Sequence, residues 1–75
     1  MNKERRKELK KIIEKIEEIQ SRLESIQSDE EESFDSIPEN LQGSDRAMES
    51  EDAIDQMADA IASLEEAIGI IEEII

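Results

Sequence analysis

Apolar residues mark out two long stretches of this chain. In the first, Leu9, Ile12, Ile16, Ile19, Leu23 and Ile26 follow one another at alternating steps of four and three. That spacing keeps one side of an α-helix apolar and has the form of an a/d heptad seam. Ile13 widens the stripe at an e position, and the residues between are Lys, Glu, Gln and Arg, all good helix formers. In the second stretch Ile54, Met57, Ile61, Leu64, Ile68, Ile71 and Ile75 repeat the same steps. A parallel line, Ala53, Ala60, Ala67 and Ile74, recurs every seven residues beside them, and Ala58 flanks the other side. The pattern predicts one helix over about residues 2–33, a second over about 46–74, and a linker over 34–45.

The linker, with its flanks, holds the only Phe (Phe34), the only Pro (Pro38) and the first of two Gly (Gly43). Punctuation of this kind between two helical runs reads as the turn of a helical hairpin. Ser36-Ile37-Pro38-Glu39 has the form of a capping box with Pro in the first turn. Gly43 suits a left-handed helix end, and Ser44 or Asp45 can cap the second helix. Asn2 can cap the first. Phe34, Ile37 and Leu41 are expected to plug the closed end of the hairpin.

The expected architecture is all-α: residues 1–75 form a single antiparallel helical hairpin in which Leu9, Ile12 and Ile16 meet Leu64, Ile68 and Ile71. The apolar stripe of the second helix is wider than a two-helix seam requires. The small residues along its edge let a further helix come close. Ala53, Ala60, Ala67 and Ile74 are therefore the expected oligomer interface, most simply of a dimer of hairpins forming a four-helix bundle, or of a larger helical oligomer. Ile70 and Gly69 break the heptad and face away from the seam. A chain of 75 residues with no Cys has no disulfides to help a small core, which again points to self-association.

Charge adds direction. The chain carries 22 acidic and 9 basic residues, net −13. Residues 1–22 hold eight basic residues against five Glu, net +3; the remainder holds one, Arg46, against seventeen acids, net −16. In an antiparallel hairpin the basic start lies beside Glu65, Glu66, Glu72 and Glu73, which favours that orientation. A net charge of this size repels nucleic acid and anionic membranes, so neither is an expected partner. The first residues are charged where a signal peptide needs an apolar run, and no stretch approaches the ~20 apolar residues of a membrane span. A cytoplasmic protein is expected.

No set of residues amounts to catalytic machinery. Without Cys or His there is no thiolate or imidazole to bind a metal or to act as nucleophile and base. Asp29, Glu30, Glu31 and Glu32 are four consecutive acids, whereas a calcium loop needs alternating ligands and a turn-making Gly. No enzyme activity, cofactor or metal is expected. Gly43, Ser44 and Arg46 stand at a helix start that favours anions, which leaves a nucleotide ligand open, although Asp45 opposes it and the Walker pattern is absent. Phe34, Pro38, Glu39, Asn40, Gln42, Gly43, Ser44 and Arg46 together form the candidate binding set.

FDSIPENLQGSDR, spanning Phe34 to Arg46, with Ala53-Ile54-Asp55-Gln56-Met57 and Ser63-Leu64-Glu65-Glu66-Ala67-Ile68 after it, resembles a family of short acidic phage and prophage proteins. In that family an aromatic-Asp-x-apolar-Pro-Glu-x-Leu-Gln linker precedes a Ser-acid-Arg/Lys stretch and helical repeats of the type AIDxLEEAIxxLEEAI. The departures are slight: Ile37 where Leu or Met is common, and Gly69–Ile70 in the last helix. The resemblance implies a phage or prophage context. Together with the small size, the net charge of −13 and the lack of a catalytic set, it leads to the expectation of a non-enzymatic interaction protein that binds and inhibits a host factor, with defence factors among the candidates. The alternatives are an oligomer that sequesters a nucleotide signal and a passive structural or assembly component.

Overall fold

A computed structural model describes all 75 residues. The order is α1 (Lys3–Asp35), a single 3-10 turn (Glu39–Leu41) and α2 (Asp45–Ile74), with no sheet. α1 starts where Asn2 stands extended and its Oδ1 accepts a hydrogen bond from the Arg5 N–H at 2.8 Å. α2 starts in the same way at Ser44, whose Oγ accepts from the Ala47 N–H at 3.3 Å. Each cap satisfies one of the amides that a helix start leaves unpaired.

Helix α1 continues through all four consecutive acids and takes in Phe34 and Asp35, so the connection begins at Ser36, two residues later than the spacing predicts. Ser36 ends α1 and does not open a capping box: its N–H and its Oγ both donate to the Glu32 carbonyl, at 3.2 and 2.9 Å. The short turn is preceded by Pro38 without any side-chain cap. Gly43 is not left-handed, because no residue in the chain has positive φ. The Ser44 N–H instead donates to the Leu41 carbonyl at 3.0 Å, closing the connection with ordinary right-handed turns.

The helices run antiparallel. Gln27 Nε2 donates to the Ile54 carbonyl at 3.2 Å, and one turn further on the Ser50 hydroxyl donates to Glu30 Oε1 at 2.7 Å, so the partner number falls as the first rises. The result is a rod of 59 × 15 × 12 Å with a radius of gyration of 17.3 Å; a compact chain of this length has ~11 Å. Only Ile13, Ala47, Ser50 and Ile68 are buried.

The seam on α2 is the expected one, extended back toward the turn: Ala47, Ser50, Ile54, Met57, Ile61, Leu64, Ile68 and Ile71 are all buried or half-buried. Ile75, its expected last member, is exposed. On α1 the seam is rotated from the expected line. Leu9, Ile13, Ile16, Gln20, Leu23, Gln27, Glu30 and Phe34 turn inward, while Ile12, Ile19 and Ile26 are 45, 51 and 57 % exposed. The physical reason is continuity. The observed line keeps steps of four and three as far as Phe34, matching the length of α2, and its Gln27 and Glu30 bond across; the Ile12 line meets Ser33 after Ile26. One neighbouring helix cannot cover a stripe this wide.

No ion pair within 4.0 Å joins the two helices. The two that form, Lys11–Glu8 at 3.6 Å and Lys15–Glu18 at 3.9 Å, lie within α1 on exposed side chains, where such pairs contribute little. The expected match of basic start to acidic end is thus one of proximity, without specific bridges.

Candidate interaction surfaces

The turn end is built from the last turn of α1, the connection and the first turn of α2. Phe34 and Ile37 are half-buried. Leu41, expected beside them as a plug, is 51 % exposed. Its N–H donates to the Pro38 carbonyl at 2.8 Å, which closes the 3-10 turn.

Two adjoining depressions open here. One, of about 350 Å3, is lined by Ser33, Ser36, Ile37, Pro38, Leu41, Ser44 and Arg46. The other, of about 260 Å3, is lined by Glu30, Ser33, Ile37, Arg46, Glu49 and Ser50. Of the candidate binding set, Pro38, Ser44 and Arg46 are brought together in this way, with Arg46 shared by both hollows. Phe34 packs inward, and Glu39, Asn40, Gln42 and Gly43 stand exposed on the connection without lining either hollow. Ser33, Ile37 and Glu49 also line these hollows, although the sequence pattern marks Ile37 only for packing and does not mark Ser33 or Glu49 as binding residues. The usable signal was spacing: Ser33 and Arg46 each stand seven residues beyond an apolar line, next to Ile26 and Ala53.

The four consecutive acids are helical and therefore point to successive sides of α1. Only Glu30 turns toward α2, where Ser50 donates to it. No group of three or more carboxylate-bearing residues is placed to hold a metal ion.

Along the rod, two faces differ. Glu17, Gln20, Glu65 and Glu72 border a groove over Ile68, which gives an acidic side. On the other side lie the exposed Ile12, Ile19 and Ile26 of α1, together with Ala53, Ala60, Ala67 and Ile74 of α2; Ala53 and Ala67 are half-buried, Ala60 and Ile74 exposed. The two lines share a side because Ser33 and Arg46, which continue them, meet in one depression. No helix is long and apolar enough to cross a membrane. No known protein family, curated protein or solved structure matches this chain.

Proposed function

We propose that this chain is a non-enzymatic interaction protein, of phage or prophage type, that binds a host protein through its turn end and inhibits it. The observation that carries the reading is the composition of that end. Exposed Leu41, Pro38 and half-buried Ile37 stand beside Arg46 in an open hollow, with Glu39, Asn40 and Gln42 displayed around it. An apolar contact beside a charged anchor, ringed by polar groups, is the composition of a protein-binding patch. A loop held on a helical rod presents such groups without disturbing the packing beneath. The resemblance of residues 34–46 to phage linkers supplies the context. The net charge of −13 suits a partner with a basic surface.

A nucleotide ligand is the second reading, favoured by Arg46 beside Ser44 at the start of α2. Glu30 and Glu49 in the neighbouring hollow oppose phosphate, so a protein partner is preferred.

The test compares the intact chain with a variant in which Glu39, Asn40, Gln42 and Arg46 are all replaced by alanine. Affinity capture from host lysate with mass spectrometry is expected to recover one protein in stoichiometric amount with the intact chain and to lose it with the variant. Helicity and melting temperature should hold in both. Unchanged capture would remove the partner from the turn end. A melting-temperature rise with nucleotides in a thermal-shift panel, with no protein captured, would favour the second reading.

A further inference from the structure

We infer that the face bearing Ile12, Ile19 and Ile26 is covered by a second copy of this chain, packed head to tail, so that the two turn ends lie at opposite poles of a four-helix dimer. Area supports an occupant. The accessible surface is 5925 Å2, against roughly 4,700 Å2 for a compact chain of this mass. The excess, on the order of 1,200 Å2, is more than the ~800 Å2 that each partner of a standard interface covers.

The pattern of the face selects the occupant. Its residues form layers across the two helices: Ser33 with Arg46, Ile26 with Ala53, Ile19 with Ala60, Ile12 with Ala67, and Arg5 with Ile74. Each residue stands seven from its neighbour on its own helix, and the first layer is seen directly, since Ser33 and Arg46 line one hollow. A two-fold axis through the middle layer maps this face onto itself. Ile19 then meets Ile19 of the second copy, Ile12 meets Ile26, and Ala60 meets Ala60, where the absence of large side chains lets the backbones approach. An isologous contact of this kind closes on itself as a dimer.

Charge fixes the direction. Residues 23–59, the turn half, hold thirteen acids and one Arg, net −12. The terminal half holds nine acids and eight basic residues, net −1. Packing with like ends together would set the two −12 halves side by side, whereas head-to-tail packing sets each against a near-neutral half. It also brings Arg5 of the second copy over Ser33, into the hollow where Glu30 and Glu49 outnumber Arg46. Opposite charges at the ends of an apolar strip set register and orientation.

The natural chain has no cysteine, so introduced thiols report cleanly. Sedimentation of the intact chain at ~100 μM, a concentration well above the Kd of ordinary specific complexes, is expected to give twice the 8.6 kDa chain mass. Under mild oxidation Ile19→Cys is expected to cross-link with itself. Ile12→Cys and Ile26→Cys are expected to cross-link when mixed and not singly. Ile19→Asp is expected to return the species to the single-chain mass. A monomeric intact chain would overturn the proposal, as would cross-linking of Ile12→Cys with Ala67→Cys between copies, which marks like ends together. Because only the chain itself is used, failure here leaves the host-protein reading standing.

Discussion

Ser50 shows how a polar residue enters the seam. It is 8 % exposed, and its hydroxyl donates to the half-buried Glu30 carboxylate at 2.7 Å. A carboxylate covered by a neighbouring helix and deprived of its donor costs roughly 1–3 kcal/mol. Partial solvent access puts Ser50→Ala at the lower end, about 1 kcal/mol, read as a fall in melting temperature of ~4–8 °C for a domain of this size. Gly69 makes the opposite case. It lies inside α2 with right-handed backbone, and a Cβ built there meets nothing within 4 Å. Gly69→Ala is expected to stabilise by about 0.5–1 kcal/mol, since glycine in a helix interior carries a backbone-entropy penalty. Thermal unfolding followed by circular dichroism measures both changes. Neither Ser50 nor Glu30 stands out in the sequence as a pair. They are twenty residues apart, and the bond exists only once the register of the hairpin is set.

Among the elements, the two helices and the break between them were legible from spacing and caps, and Asn2 and Ser44 cap as expected. The side of α1 that faces α2 was not. Apolar residues occupy two adjacent lines there, and isoleucine at 12, 19 and 26 outweighs Gln20 and Gln27 on any count of hydrophobicity. Contact along the whole length of α2 decides the matter, with Gln27 and Glu30 supplying cross-helix bonds that no hydrophobic tally contains. The closing turn is not legible in the sequence for a related reason. Ser36 had two ways to use its hydroxyl, ending α1 or starting the next turn, and the Glu32 carbonyl takes it. The expected consequence is a division between neighbours. Ile13 is 8 % exposed within its own chain. Ile13→Ala should cost about 2–4 kcal/mol at any protein concentration, as large-to-small changes at buried sites do. Ile12→Ala should cost less in dilute protein and more as concentration rises, because in the proposed dimer its contacts come from the second copy. Urea unfolding at two concentrations separates the two behaviours.

At the scale of the whole molecule, the chain is a rod whose two sides and two ends differ. One side is acidic over Ile68, the other apolar from Ile26 to Ile12; one end carries the mixed hollow around Arg46, the other the basic start of α1. The apolar side accounts for exposed isoleucines that a solitary hairpin leaves in water, and Ile70 adjoins it, one turn from Ala67 and Ile74. In the proposed dimer Pro38 and Leu41 stay open to another protein at the pole, while the adjoining hollow of Glu30 and Glu49 receives Arg5 of the second copy. Everything in this account depends on which isoleucines close the hairpin and which face away from it. The most direct measurement is an isotope-filtered methyl NOE spectrum of an equal mixture of labelled and unlabelled chains. The account predicts Ile13–Ile68 contacts within one chain and Ile12–Ile26 contacts only between chains. Contacts of Ile12 and Ile19 methyls with Leu64 and Ile68 of their own chain would contradict it.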